Sequence, residues 1–285
     1  MSKILKNELY KAFINKRFLI VLLIETFLIL WYTIGEAIPV MNDHVKFVND
    51  YIYAGRNMEK MTNRLPLGAY YLWIGFNYCK QRVVLYAVLP ILAAIPYGTS
   101  LYTEKRSHYA YHLLMNSSKR KYYTSKLLTL FVSGGVVGAF PFLLSFLINA
   151  ALIPLEQVST VTSQFFGSNT IFSDLFYKAP ILYIVVFLIL TFICFGILNC
   201  FCFVGAYLLD NKFVVTIFPF VIYFVARVIE ESIFSPGREI TPWFSFKIAD
   251  VYKVDIVKII PMMIIILLII VGVYLFKCRK KGDEL

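Results

Sequence analysis

Charge is scarce in this chain. Asp, Glu, Lys and Arg supply 16% of its 285 residues, where an ordinary soluble domain carries about 25%. Hydrophobic residues fill 59%, and mean hydropathy is +0.71. Such a composition excludes an ordinary soluble fold, and disorder with it. Histidine is scarcer still. His44, His108 and His112 all lie in polar segments, and none follows position 112. A metal or Ser/His catalytic site inside the apolar part is therefore hard to assemble. The five cysteines, Cys79, Cys194, Cys200, Cys202 and Cys278, are odd in number and scattered. They offer neither a disulfide framework nor zinc spacing. Cys200 and Cys202 sit inside an apolar run and read as small packing residues. The phosphate-binding pattern GxxxxGK[ST] is missing too. Gly134, Gly135 and Gly138 lie in an apolar run without a following Lys-Ser/Thr. Glu230-Glu231 opens like the EExxxR pattern of intramembrane proteases, but the sixth position is Ser235.

What the chain has instead is long apolar runs. A membrane-spanning helix needs about 20 mostly apolar residues. Six runs qualify, at 18–35, 83–102, 127–154, 180–209, 213–229 and 259–276. The first is too long for a signal-peptide core of about 7–15 residues. The sequence thus predicts an all-α polytopic membrane protein with six transmembrane helices. Lys and Arg set its orientation. With both termini in the cytoplasm, the inside segments hold 16 of the 28 basic residues and 5 of the 17 acidic ones. The net charge of +11 is then a topology signal and an attraction to anionic membrane lipid, not a nucleic-acid patch.

The polar segments carry further pattern. Residues 1–17 place Ile4, Leu5, Leu9, Phe13 and Ile14 at roughly helical spacing, with lysines on much of the other face. This predicts an amphipathic interfacial helix. Segments 36–82, 155–179 and 230–258 fall outside. The first is rich in aromatics, including Tyr51, Tyr53, Tyr70, Tyr71, Trp73, Phe76 and Tyr78, and reads as an interfacial anchor or as a cap over an exit path. The third, broken by Pro236, Gly237 and Pro242, suits two short helices. The inside loop 103–126 reads TEKRSHYAYHLLMNSSKRKYYTSK. A loop that merely turns has no need of Leu113, Leu114 and Met115, so a short helix along the inner surface is expected. Glu25 stands near the middle of the first run. A charged carboxylate there costs roughly 2.5–3.5 kcal/mol on insertion scales. It reads as lining a path or dimer seam, or as a neutral acid bonded to a neighbouring helix.

This layout resembles the type-2 ABC transporter permeases, the membrane subunits of many bacterial exporters. An elbow helix precedes six spans, and the first inner loop follows the family's pattern in Glu104, Arg106, Leu113-Leu114, Ser118-Lys119-Arg120, Tyr123 and Lys126. The family often has glycine after the basic residue, where this chain has Ser107-His108. The resemblance implies that the loop is a coupling helix docked on a separate ABC ATP-binding subunit. Glu104, Arg106, His108, Tyr109, His112, Leu113, Leu114, Ser118 and Lys119 would form that contact. ATP and Mg would bind in the partner, with no cofactor and no catalytic residue here. A second permease copy would complete the transporter, as homodimer or related heterodimer, in the bacterial cytoplasmic membrane. The apolar spans favour hydrophobic or amphipathic cargo: peptide, lipid or lipophilic drug. The rival readings are a stand-alone immunity or sensor protein and, behind it, an intramembrane enzyme.

Overall fold

The computed structural model describes residues 2–54, 68–75, 79–115, 118–153, 155, 172–233 and 256–279. These form α-helices joined by short turns, with no strand among the described residues. In chain order they are α1 (Ser2–Phe13), α2 (Lys16–Tyr32), α3 (Ile38–Tyr53), α4 (Lys80–Ala94), α5 (Ser100–Arg106) and α6 (Tyr109–Met115). Then come α7 (Lys119–Leu152), α8 (Ser173–Lys178), α9 (Pro180–Asn199), α10 (Phe201–Leu208), α11 (Lys212–Ile233) and α12 (Ile256–Arg279). Three stretches, Lys16–Asp50, Lys119–Leu152 and Pro180–Leu208, are long and apolar enough to cross a membrane. The all-α expectation therefore holds, and the long apolar helices are those of a membrane protein. The expected outer helix pair at 230–258 lies almost wholly outside the described residues. So do residues 55–67 and 76–78 of segment 36–82 and residues 156–171 of segment 155–179.

Helix boundaries depart from the apolar runs in ways local chemistry explains. Asn15 caps α2, its Oδ1 accepting from the Phe18 amide at 2.7 Å. Its Nδ2 donates to the Lys11 and Ala12 carbonyls, which terminates α1. The first run does not end at residue 35. It continues through a π-helical turn, Thr33–Ala37, into α3. Pro39, the second residue of α3, lacks the N–H that a continuing helix would bond, and the π-helical turn lies immediately before it. The run at 83–102 is interrupted between α4 and α5, around Pro96. The run at 180–209 is interrupted at Cys200.

The core is built on α7 and α9, which touch along much of their length. Their contact is made by small residues. A Cβ on Gly135 would lie 2.7 Å from the Phe192 carbonyl oxygen, and one on Gly196 2.7 Å from that of Phe131. Membrane helices approach closely at such residues because packing, not the hydrophobic effect, holds them together. Asn199, fully buried, adds a hydrogen bond from Nδ2 to the Leu130 carbonyl at 2.8 Å.

Residues 68–75, from the aromatic segment, tuck into the bundle. Trp73 is fully buried, donates Nε1–H to the Phe142 carbonyl at 2.9 Å and meets the Phe142 and Phe187 rings edge-on. The Leu72 carbonyl accepts from both Tyr32 Oη and Asn149 Nδ2, each at 2.5 Å. This part of the segment is held by the bundle through bonds to α2 and α7. Elsewhere, α2 and the π-helical turn after it expose Leu19, Leu23, Phe27, Leu30, Trp31 and Ile34 as one apolar ridge. In a membrane protein such a ridge needs no aqueous partner.

Candidate functional site

The amphipathic helix α1 does not lie free. It packs on the first half of α7 and turns an acid toward it. Glu8 is the sole acid among the first 17 residues, and it is buried. Ala12, one turn later, is buried beside it. Ile14 and Tyr10 stay exposed. The face of α1 that meets the protein is thus centred on a carboxylate.

That carboxylate enters a closed ion network. Lys126, at 0% exposure, sits in its middle. Its Nζ donates to Glu8 Oε2 at 2.6 Å, to Glu104 Oε1 at 2.7 Å and to Ser100 Oγ at 2.8 Å. All three of its protons are thereby placed. Lys11 bridges the same acids, at 3.0 Å from Glu8 Oε1 and 3.3 Å from Glu104 Oε1. Two tyrosines complete the acceptor sites. The Tyr97 hydroxyl donates to Glu8 Oε2, and the Tyr122 hydroxyl to Glu104 Oε2 at 2.6 Å. Two carboxylates and two ammonium groups leave no net charge. A buried ion pair is tolerable only when its remaining protons and lone pairs are satisfied, and here they are. The network joins α1, the turn before α5, α5 and α7.

Burial and pairing oppose one another in the titration of Glu8 and Lys11. Burial alone would push the Glu8 carboxyl up. The Lys126 charge and the hydrogen bonds from Lys126, Tyr97 and Lys11 outweigh burial and hold it below the ordinary 4.5. Burial would push Lys11 down, but its bonds to Glu8 and the charges of Glu8 and Glu104 hold it above the ordinary 10.5. A depressed carboxyl stabilises the fold above its unfolded value, and that contribution is lost as pH falls through its folded value. A raised ammonium stabilises below its unfolded value and is lost as pH rises through the folded one. In detergent, the melting temperature is expected to plateau between about pH 5 and pH 10 and to fall on both sides. Glu8→Gln should lower the plateau and flatten the acid limb. An acid limb of unaltered slope in Glu8→Gln, measured from about pH 3 to pH 6, would remove Glu8 from this role.

The other loop residues singled out in the sequence are spread around this centre. Arg106 is exposed and pairs with exposed Asp210 at 3.5 Å, a contact worth little. Lys105, beside it, lies 4.1 Å from the Tyr207 ring centre, and Lys277 of α12 lies 4.3 Å from the same ring. Burial and, next, the Lys277 charge push the Lys105 ammonium down. His108 makes the turn after α5 in a left-handed conformation, with φ of 57°. Tyr109 is exposed beneath Lys11, whose Nζ stands 5.3 Å from the ring centre. The side chain of His112 lies outside the described residues. Leu113 and Leu114 are partly buried and pack on the chain's own core, while Met115 is 77% exposed. Ser118 precedes α7 and Lys119 begins it. Glu25 is far from this cluster in sequence and stands at 0% exposure inside the chain. Neither of its carboxyl oxygens has a hydrogen-bond partner among the described residues.

Sequence reasoning found Glu104 and Lys126 as parts of a pattern but missed Glu8, Lys11, Tyr97 and Tyr122 as their partners. One signal was available: a single acid among the five basic residues of the N-terminal segment. Among the described residues, no three His, Cys, Asp or Glu side chains are grouped to hold a metal ion. Comparisons of the chain with family models, curated proteins and solved structures return no match.

Proposed function

We propose that this chain is the membrane-spanning permease subunit of an ATP-driven exporter in the bacterial cytoplasmic membrane. It works with a second permease copy, and a separate ABC subunit binds ATP and Mg. The observation that carries this reading is the ion network. Glu104 and Lys126 stand near the two ends of the loop pattern, and their 2.7 Å contact clamps those ends together. Glu8 fastens α1 to the same point. Motion applied to α6 would pass into α5, α7 and α1 as one unit, which is what a coupling element requires. The left-handed turn at His108 supports the reading as well. It lies beside the place where the family often carries glycine, the residue that adopts this conformation most easily.

The docking face differs from a purely leucine-based one. Leu113 and Leu114 support α6 from below, while Tyr109 and Met115 point away from the core. Six spans with both ends inside, an outward path and hydrophobic or amphipathic cargo complete the proposal. Glu25, enclosed within this chain, is the candidate for the path or the dimer seam. Purification of the tagged chain from native membranes in mild detergent should bring a Walker-motif ATPase with it. Tyr109→Ala with Met115→Asp should reduce the co-purified ATPase about tenfold, since interface anchors of this kind carry on the order of 1–2 kcal/mol. The chain itself should remain in the membrane at normal yield. A solitary protein, under conditions that preserve a known transporter complex, would favour the stand-alone reading.

A further inference from the structure

Beside the ion network lies a cavity of about 370 Å³, lined by residues including Lys11, Lys16, Arg17, Thr99, Glu104 and Lys212. Lys11 and Glu104 belong to the neutral network and cancel. Lys16, Arg17 and Lys212 remain, a local surplus of three positive charges. Among the described residues none of the three is in an ion pair. Arg17 donates only to Thr99 Oγ1, at 3.4 Å, which leaves the Thr99 hydroxyl proton free to donate. Two long helices begin here. α2 starts at Lys16 and α11 at Lys212, so the positive ends of both dipoles point into the same space. Asn15 and Asn211 satisfy the amides of Phe18 and Phe213, leaving the very first amides of each helix for another acceptor.

A second cavity of about 400 Å³ shares Arg17, Thr99 and Lys212 with the first. Its remaining wall includes Ile95, Phe213 and Thr216. Phe213 is exposed, and so are Leu19 and Ile20 on α2. The polar and apolar spaces therefore meet at Arg17 and Lys212. Arg17 ends the polar segment before the first apolar run, and Lys212 does the same before the fifth. Thr99 lies near the polar end of the second. All three line both cavities, at the polar ends of apolar runs.

We propose that this paired cavity binds an anionic phospholipid. The phosphate sits among Lys16, Arg17, Lys212 and the starts of α2 and α11. An acyl chain runs along Ile95 and Phe213. Cations at the membrane surface attract anionic lipid generally; what distinguishes this place is their convergence on two helix N-termini beside an apolar groove. The inference needs only a membrane and stands apart from the transport reading.

Native mass spectrometry of the full chain in mild detergent tests it. Phosphatidylglycerol should be retained in preference to phosphatidylcholine. Arg17→Gln with Lys212→Gln should weaken phosphatidylglycerol roughly 30-fold, at the usual contribution of each interfacial cation. Both residues are exposed, so the melting temperature should not change. Arg120→Gln with Lys121→Gln removes the same charge from an exposed part of α7 and should leave binding intact. Equal losses in the two double variants would reduce the effect to diffuse attraction and overturn the site. Glycerol 3-phosphate binding as tightly as the lipid would make it a site for soluble phosphate and overturn the lipid assignment. Absence of any preference for phosphatidylglycerol would overturn both.

Discussion

Lys126→Met is expected to destabilise the folded chain by about 3–5 kcal/mol, the usual cost of removing one partner from a buried ion pair. The residue is fully enclosed, so water cannot replace its ammonium. Its loss leaves Glu8 and Glu104 facing one another with only Lys11 between them. Much of the cost is the penalty for uncompensated carboxylates, and that makes it reversible by design. The triple variant Glu8→Gln, Glu104→Gln, Lys126→Met carries no buried charge. It should recover most of the lost stability, as replacements of whole buried pairs by neutral groups often do. Thermal melting of the detergent-purified protein gives both numbers. A Lys126→Met protein that melts with the wild type would sink the network as a structural clamp. If the triple variant is stable but no longer retains the proposed ATPase subunit, the charges serve coupling rather than folding.

The second large effect is expected at the α7–α9 contact. Gly135→Ala and Gly196→Ala each place a methyl group 2.7 Å from a backbone carbonyl oxygen of the opposing helix. Neither carbonyl is the end of a flexible side chain, so the helices themselves must separate. Overpacking of this kind costs about 1–3 kcal/mol per site. The double variant should cost more than either single one, and Gly138→Leu should prevent folding, because a Cβ there already meets Phe195 Cβ at 2.4 Å. Gly272→Ala in α12 is the control. Nothing lies within 4 Å of its added Cβ, and an alanine in mid-helix is better than glycine by about 1 kcal/mol. It should melt at or above the wild-type temperature. A Gly135→Ala protein that melts at or above the wild type, as Gly272→Ala should, would mean that helix propensity outweighs close approach at this contact.

The two effects have a common origin in a membrane protein. The hydrophobic effect offers little to distinguish one apolar helix face from another inside lipid. Specific association then falls to close packing and to polar groups. Here the first is concentrated at Gly134, Gly135, Gly138 and Gly196. The second is concentrated at Glu8, Glu104 and Lys126, with Asn149 and Asn199 supplying single bonds deeper in the bundle.

By itself, the sequence determined the apolar surroundings and the all-helical class. Composition and run length depend only on neighbouring residues, and they suffice to mark an all-helical membrane chain with a patterned loop at 103–126. Helix interruptions near Pro96 and Cys200 left weaker marks, because proline and small residues are tolerated inside membrane helices. The tertiary structure alone decided which charges meet. Glu8 and Lys126 are 118 residues apart, and Lys11 and Glu104 are 93 apart. A local reading sees the first pair as an ordinary surface acid and a flanking base. A local reading also cannot tell that Leu113 and Leu114 rest partly on the chain's own core. Burial and pairing arise from the convergence of distant segments, so neither the ion network nor the cavity beside it could be read from spacing along the chain.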